Sequence, residues 1–80
     1  MPQLELFGTA TCPFTRELRD WLHSKRLPFV EFDVETDLEA MKRMQALTTG
    51  ERTVPVLVEE GRVLQIGFRG RTSVVKADTA

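Results

Sequence analysis

Short runs of alternating hydrophobic and polar positions give way to helical spacing, and the sequence does this twice. Leu4-Glu5-Leu6-Phe7 alternates before Gly8-Thr9-Ala10-Thr11, which predicts a short strand running into a turn. Pro13 suits the first position of a helix, where its missing N–H costs nothing. Phe14, Leu18, Trp21 and Leu22 then recur at helical spacing as far as Lys25 and Arg26, basic residues suited to a last turn. Beyond Pro28 the alternation returns, with Val30, Phe32 and Val34 on one face and Glu31 and Asp33 on the other, predicting a second strand. Thr36-Asp37-Leu38-Glu39 matches a capping box with Thr36 as the cap. Leu38, Met41, Met44 and Leu47 mark the face of a helix that should stop near Gly50.

Val54-Pro55-Val56-Leu57-Val58 is too apolar for a solvated face and reads as a buried strand. Proline cannot donate to a ladder, so Pro55 belongs at its entrance. Glu59-Glu60-Gly61-Arg62 reads as a hairpin loop and Val63-Leu64-Gln65-Ile66 as the return strand. After Gly67-Phe68-Arg69-Gly70, Thr72 or Ser73 would cap one short final helix. The order strand, helix, strand, helix, strand, strand, helix predicts an α/β fold. Its four-stranded mixed sheet would hold one parallel pair, joined by a right-handed crossover, and one hairpin at its side, with helices on both faces. No linker, repeat or biased tract interrupts residues 1–80, which are read as a single domain.

The length of 80 residues limits the core, because a chain this short buries only about 60 % of the surface it exposes when unfolded. Trp21, Phe32, Met41 and Met44 are assigned to that core. With 41 % hydrophobic and 29 % charged residues the composition is globular, and eleven basic against twelve acidic side chains argue against a backbone-driven nucleic-acid binder. No apolar run approaches the roughly 20 residues that cross a bilayer, and Met1-Pro2-Gln3-Leu4-Glu5 lacks a basic, then apolar, leader. No membrane association and a cytoplasmic location are therefore expected.

Cys12 is the only cysteine and His23 the only histidine, so neither an internal disulfide nor a self-contained zinc shell can form, and no metal is expected. His23 stands about three turns from Cys12 and is assigned to the surface. Glu31, Asp33, Glu35 and Asp37 are assigned to a solvated strand face and loop. Cys12 itself lies where the first strand ends and the first helix begins. A thiolate there meets unpaired N–H groups and the positive end of a helix dipole, which lower its pKa below the free value of about 8.5.

Thr11-Cys12-Pro13-Phe14-Thr15 resembles the glutaredoxin active site, where Cys-Pro-Tyr/Phe is followed by a second Cys or, in monothiol members, by Ser. Thr53-Val54-Pro55 resembles the same family's second signature, whose proline is cis. The two motifs lie at the family's spacing, and the element order matches over nearly the whole chain. The resemblance implies a thioredoxin-like fold and a disulfide oxidoreductase with Cys12 as nucleophile. Pro13 would hold the helix start rigid, Phe14 would shape an apolar wall, and the Thr15 hydroxyl would donate to the thiolate. The backbone before a cis Pro55 would be left to pair antiparallel with an extended peptide or thiol substrate. Substrate contacts are thus expected from Thr53, Val54, Pro55, Gly67, Phe68 and Arg69. Arg52 and Arg69, and to a lesser degree Arg71, are candidate carboxylate clamps, and Arg16 could add positive potential.

The departures from the family pattern narrow the chemistry. Thr15 replaces the resolving cysteine, so an external thiol has to release any mixed disulfide. Thr9 stands where many glutaredoxins carry a lysine for a glutathione carboxylate, and Gly67-Phe68-Arg69-Gly70 replaces the segment that holds the γ-glutamyl end. Weak glutathione binding is the consequence. Gly-Phe-Arg is similar instead to the glutaredoxin-like redoxins that serve ribonucleotide reductase, which are dithiol proteins recharged by thioredoxin reductase. The leading expectation is a monomeric, monothiol enzyme acting on glutathione mixed disulfides or protein disulfides, with glutathione as co-substrate. The alternatives are a carrier of an iron-sulfur cluster shared between two chains, against which Pro13 replaces the usual glycine, and a redox-inactive binding module.

Overall fold

The computed structural model describes residues 3–75. In chain order the elements are β1 (Leu4–Gly8), α1 (Pro13–Ser24), β2 (Phe29–Asp33), α2 (Leu38–Leu47), β3 (Thr53–Val54), β4 (Val56–Glu59), β5 (Arg62–Ile66) and β6 (Ser73–Val74). The main sheet has the order β2-β1-β4-β5, with β1 and β2 parallel and the other neighbours antiparallel. The expected mixed sheet with one crossover and one hairpin is the observed one.

Alternation along β1 sends its side chains into two separate cores. Leu4 and Leu6 meet Leu18 and Leu22 of α1 together with Leu57 and Phe68. Phe7 points the other way, among Ala40, Met41 and Met44 of α2, with Val34, Val54, Val56 and Val58. One helix therefore covers each face. Each is also clipped to a strand by an Arg–Glu fork: Arg19 Nε donates to Glu31 of β2 at 2.8 Å, and Arg43 donates to both carboxylate oxygens of Glu5 at 2.9 Å. The Arg43 guanidinium also lies 5.3 Å over the rings of Phe7 and Phe32, which are themselves stacked at 5.1 Å.

Several expectations shift. Asp37, not Thr36, caps α2, its carboxylate accepting from the Ala40 amide at 3.1 Å. The Asp33 carbonyl already holds the Thr36 and Asp37 amides, which keeps Thr36 in the turn leaving β2 and delays the helix by one residue. Leu38, at the helix start, is exposed, and so is Val30 on the edge strand β2. Trp21 is 37 % exposed and belongs to no core: Leu18 and Leu22 take the inward face of α1 and leave Trp21 on its shoulder, tilted against Phe68. The four-residue hairpin loop is a tighter turn, with Glu60 and Gly61 both at positive φ between β4 and β5. No final helix starts at Thr72 or Ser73. Ser73–Val74 is a strand, antiparallel to Thr53–Val54, and the rest of the expected helix lies outside the described residues.

Leu22 is fully buried on the α1 side and remote from Cys12. Its replacement by Ala should cost about 2–5 kcal/mol in urea unfolding, the range for a buried leucine that leaves a cavity. Thiol reactivity in the folded fraction should not change.

Candidate active site

Helix α1 begins on Cys12, whose extended backbone places Sγ to accept from the Thr15 amide at 3.4 Å. Pro13 follows at the first helical position, as its fixed φ favours. Across from the sulfur, the Val54–Pro55 bond is cis. A pocket of about 290 Å³ at the thiol is lined by Thr9, Thr11, Cys12, Pro13, Glu35, Val54, Ser73, Val74 and Val75.

Cys12 is buried, with 4 % of its surface exposed, although a thiol at a helix start between a strand and a turn would be expected to stand partly exposed. The cover is thin and comes from the chain itself. Ser73 Oγ lies 3.2 Å from Cys12 Sγ and receives the thiol proton as a hydrogen bond; when the sulfur is ionised the same hydroxyl can donate to it. Burial is the largest single influence on the thiol and raises its pKa. Donors available to the ionised sulfur, the Ser73 and Thr15 hydroxyls and the Thr15 and Phe14 amides, together outweigh it and hold Cys12 below its ordinary value. Thr15 Oγ1 is buried without a hydrogen-bond partner among the described residues, so its proton is free to turn toward a charged sulfur.

Thr15 also fixes the approach of α1 to the sheet. A Cβ on Gly8 would overlap the Thr15 side chain, so the glycine lets the helix start press directly onto the end of β1. Phe14 is half-buried against the cluster that contains Cys12, as an apolar wall requires. Arg16 is exposed on the following turn.

Not all the candidate binding residues gather at this pocket. Val54 and Ser73 line it, with Thr53 and Pro55 adjoining Val54 in sequence. Arg69 and Arg71 instead line a groove along α1 with Glu17, Asp20, Trp21, Ser24 and Phe68. Phe68 is buried in the α1-side core. Gly67 donates to the Pro55 carbonyl at 2.6 Å, and Arg52 offers its carbonyl to the Val75 amide at 2.8 Å. Among the described residues, the lining of the thiol pocket carries no cation and one acid, Glu35. The local sequence pattern offers Ser73 only as a candidate helix cap. Its pairing with Val54 depends on where the chain returns after β5, a long-range matter that no local pattern announces. Among the described residues no group of His, Cys, Asp or Glu is arranged to hold a metal ion, and no helix is long and apolar enough to cross a membrane.

Parallel and antiparallel strands in the order β2-β1-β4-β5, with a cysteine at the start of α1 opposite a cis proline, make this a thioredoxin-like fold. Solved structures share it. A mutant of the thioredoxin-like protein BC3987 is 26 % identical, with a TM-score of 0.73 and 86 % of both chains covered. The glutaredoxin grx-1 of Archaeoglobus fulgidus is 17 % identical at a TM-score of 0.68, covering 82 % of this chain and 76 % of its own. The glutaredoxin family profile matches residues 4–64, and the chain belongs to that family. It is also 29 % identical over 65 residues to an uncharacterized glutaredoxin-like 8.6 kDa protein in a rubredoxin operon of Clostridium pasteurianum, covering 81 % of this chain and 84 % of that one.

Gly8→Ala should destabilise the fold by about 1–3 kcal/mol in chemical denaturation, the cost of overpacking, with partial recovery when Thr15→Ala is added. The lowered thiol pKa has a definite sign in stability. Its contribution is full above the pKa of unfolded cysteine and is lost as pH falls through the folded value. Wild type should therefore gain stability over Cys12→Ala as pH rises between those two values, measured as paired urea midpoints. Iodoacetamide alkylation should show a midpoint below about 8.5.

Proposed function

We propose that this glutaredoxin-family chain is a monothiol disulfide oxidoreductase with Cys12 as its nucleophile. The observation that carries the reading is the sulfur at the α1 N-cap, held by hydrogen bonds that favour its charged form and facing cis Val54–Pro55. The Cys12 thiolate attacks one sulfur of a substrate disulfide. That S–S bond breaks, a Cys12 mixed disulfide forms, and the other sulfur leaves as a thiolate. Thr15 stands where a second cysteine would resolve the intermediate. An external thiol therefore attacks the substrate-side sulfur of the mixed disulfide, is itself oxidised into a new disulfide, and releases Cys12 as thiolate.

Glutathione is the natural candidate for that thiol, because a buckwheat glutaredoxin of the same fold has been solved as a glutathione complex. The pocket argues that this chain uses it poorly. Thr9 supplies no charge, Glu35 repels carboxylates, and Arg69 and Arg71 line a different groove. A protein disulfide, which asks for backbone pairing more than for carboxylate clamps, is the better substrate.

Cys12→Ser should abolish turnover in a coupled deglutathionylation assay; a rate equal to wild type would overturn the assignment. Thr9→Lys should lower KM for a glutathionylated substrate by about ten- to a hundred-fold, the worth of one charge-assisted hydrogen bond of about 1.5–3 kcal/mol. The same change should leave KM for an uncharged disulfide unaltered.

A further inference from the structure

The edge of β3 that a substrate peptide would use is already occupied. Thr53 pairs with Val74 and Val54 with Ser73, antiparallel, and the Val75 amide donates to the Arg52 carbonyl at 2.8 Å. Side chains alternate along this return segment. Ser73 points to the thiol, Val74 is 71 % exposed, and Val75 is buried in the core cluster that holds Cys12 and Val54. Local geometry aims the segment there. Arg69 and Gly70 both take positive φ in a tight turn closed by reciprocal Phe68 and Arg71 hydrogen bonds, which reverses the chain just past β5. Gly67 then lets the returning strand pass at contact, since a Cβ there would sit 2.6 Å from Thr72 Cγ2 and 2.7 Å from the Arg71 carbonyl oxygen.

We propose that residues 72–75 are an internal strap that holds the substrate edge as a pseudosubstrate. Ser73 sits in the register of the substrate cysteine, and a disulfide-bearing peptide has to exchange with the strap before it reaches Cys12. This rests on the proposed oxidoreductase reading and adds to it a gate and a substrate class: an extended peptide segment able to replace a strand of two residues. Serine is suited to the place because its oxygen hydrogen-bonds the sulfur and cannot form a disulfide with it. The pairing is short, so a competing strand with a longer ladder can displace it.

Two measurements test this without using turnover, so failure of the catalytic reading and failure of the strap give different results. In the first, Ser73→Cys is treated with oxidised glutathione, which accepts the two electrons and two protons of the new bond. An intrachain disulfide between Cys12 and the thiol introduced at position 73 should dominate by mass and peptide mapping, while Val74→Cys, its side chain directed to solvent, should give none. Only glutathionylated thiols or cross-linked dimers from Ser73→Cys would overturn the proposal. In the second, wild-type Cys12 is joined by a disulfide to a cysteine-containing hexapeptide and amide exchange is followed. The Val75 amide should exchange about tenfold faster or more than in the free chain, with β1 and β4 unchanged, because two strands cannot pair with one edge. Undiminished protection at Val75 would show that substrate and strap do not compete.

Discussion

The Thr15 amide needs an acceptor at the first turn of α1, and Cys12 Sγ supplies it at 3.4 Å. Because the capping atom is also an ionisable one, the start of the helix and the state of the thiol are a single physical problem. Oxygen caps are stronger acceptors than a thiol, so a cysteine in this position gives up some helix stability until it ionises. Ionisation then strengthens the same bond and brings in the Ser73 and Thr15 hydroxyls. The lowered pKa rests on this bond together with the Phe14 amide and the two hydroxyls, Ser73 foremost, and Gly8 lets the capped turn approach the sheet by leaving room for Thr15 against the end of β1.

Charge is divided between the two faces of the molecule. Arg19 and Arg43 are engaged with Glu31 and Glu5, each tying a helix to the sheet. Exposed pairs of this kind contribute at most about 1 kcal/mol each. Arg69 and Arg71 sit beside Trp21 on the α1 side, and the thiol pocket keeps Glu35. A thiolate without a nearby guanidinium depends on hydrogen bonds for its stabilisation. This sets the chain apart from sites in which a cation both lowers the thiol pKa and captures an anionic substrate.

The segment after β5 changes what the groove can accept. An open edge at β3 would take any extended backbone; an edge already paired takes only a strand that gains more than it displaces. Val75 anchors the segment in the core, and Ser73 makes its one polar contact with the sulfur. In the proposed function, selectivity and access to Cys12 would thus be set by the same four residues, 72–75.

Much of the fold is written locally. The alternation of Leu4–Phe7, the Pro13 start, the helical spacing of Leu18 and Leu22 and the turn at Gly61 are each decided by neighbours within a few residues, and each appears where the pattern predicts. Cys12 at a helix start and Pro55 at a strand entrance are legible for the same reason. Other features depend on residues distant in sequence. Whether Trp21 is core or shoulder depends on which side of α1 the sheet approaches. Whether Arg69 faces the thiol or the far side of α1 depends on the turn at Arg69–Gly70. Whether Ser73 caps a helix or pairs with Val54 depends on an unpaired strand edge 19 positions earlier in the register, which local propensity cannot sense. The sequence alone determined β1, β2, the two helices, the β4–β5 hairpin and the place of Cys12 at a helix start; the tertiary structure turned the expected last helix into β6 and decided what covers the thiol, because an edge of backbone donors and acceptors has to be satisfied by whatever the fold brings beside it.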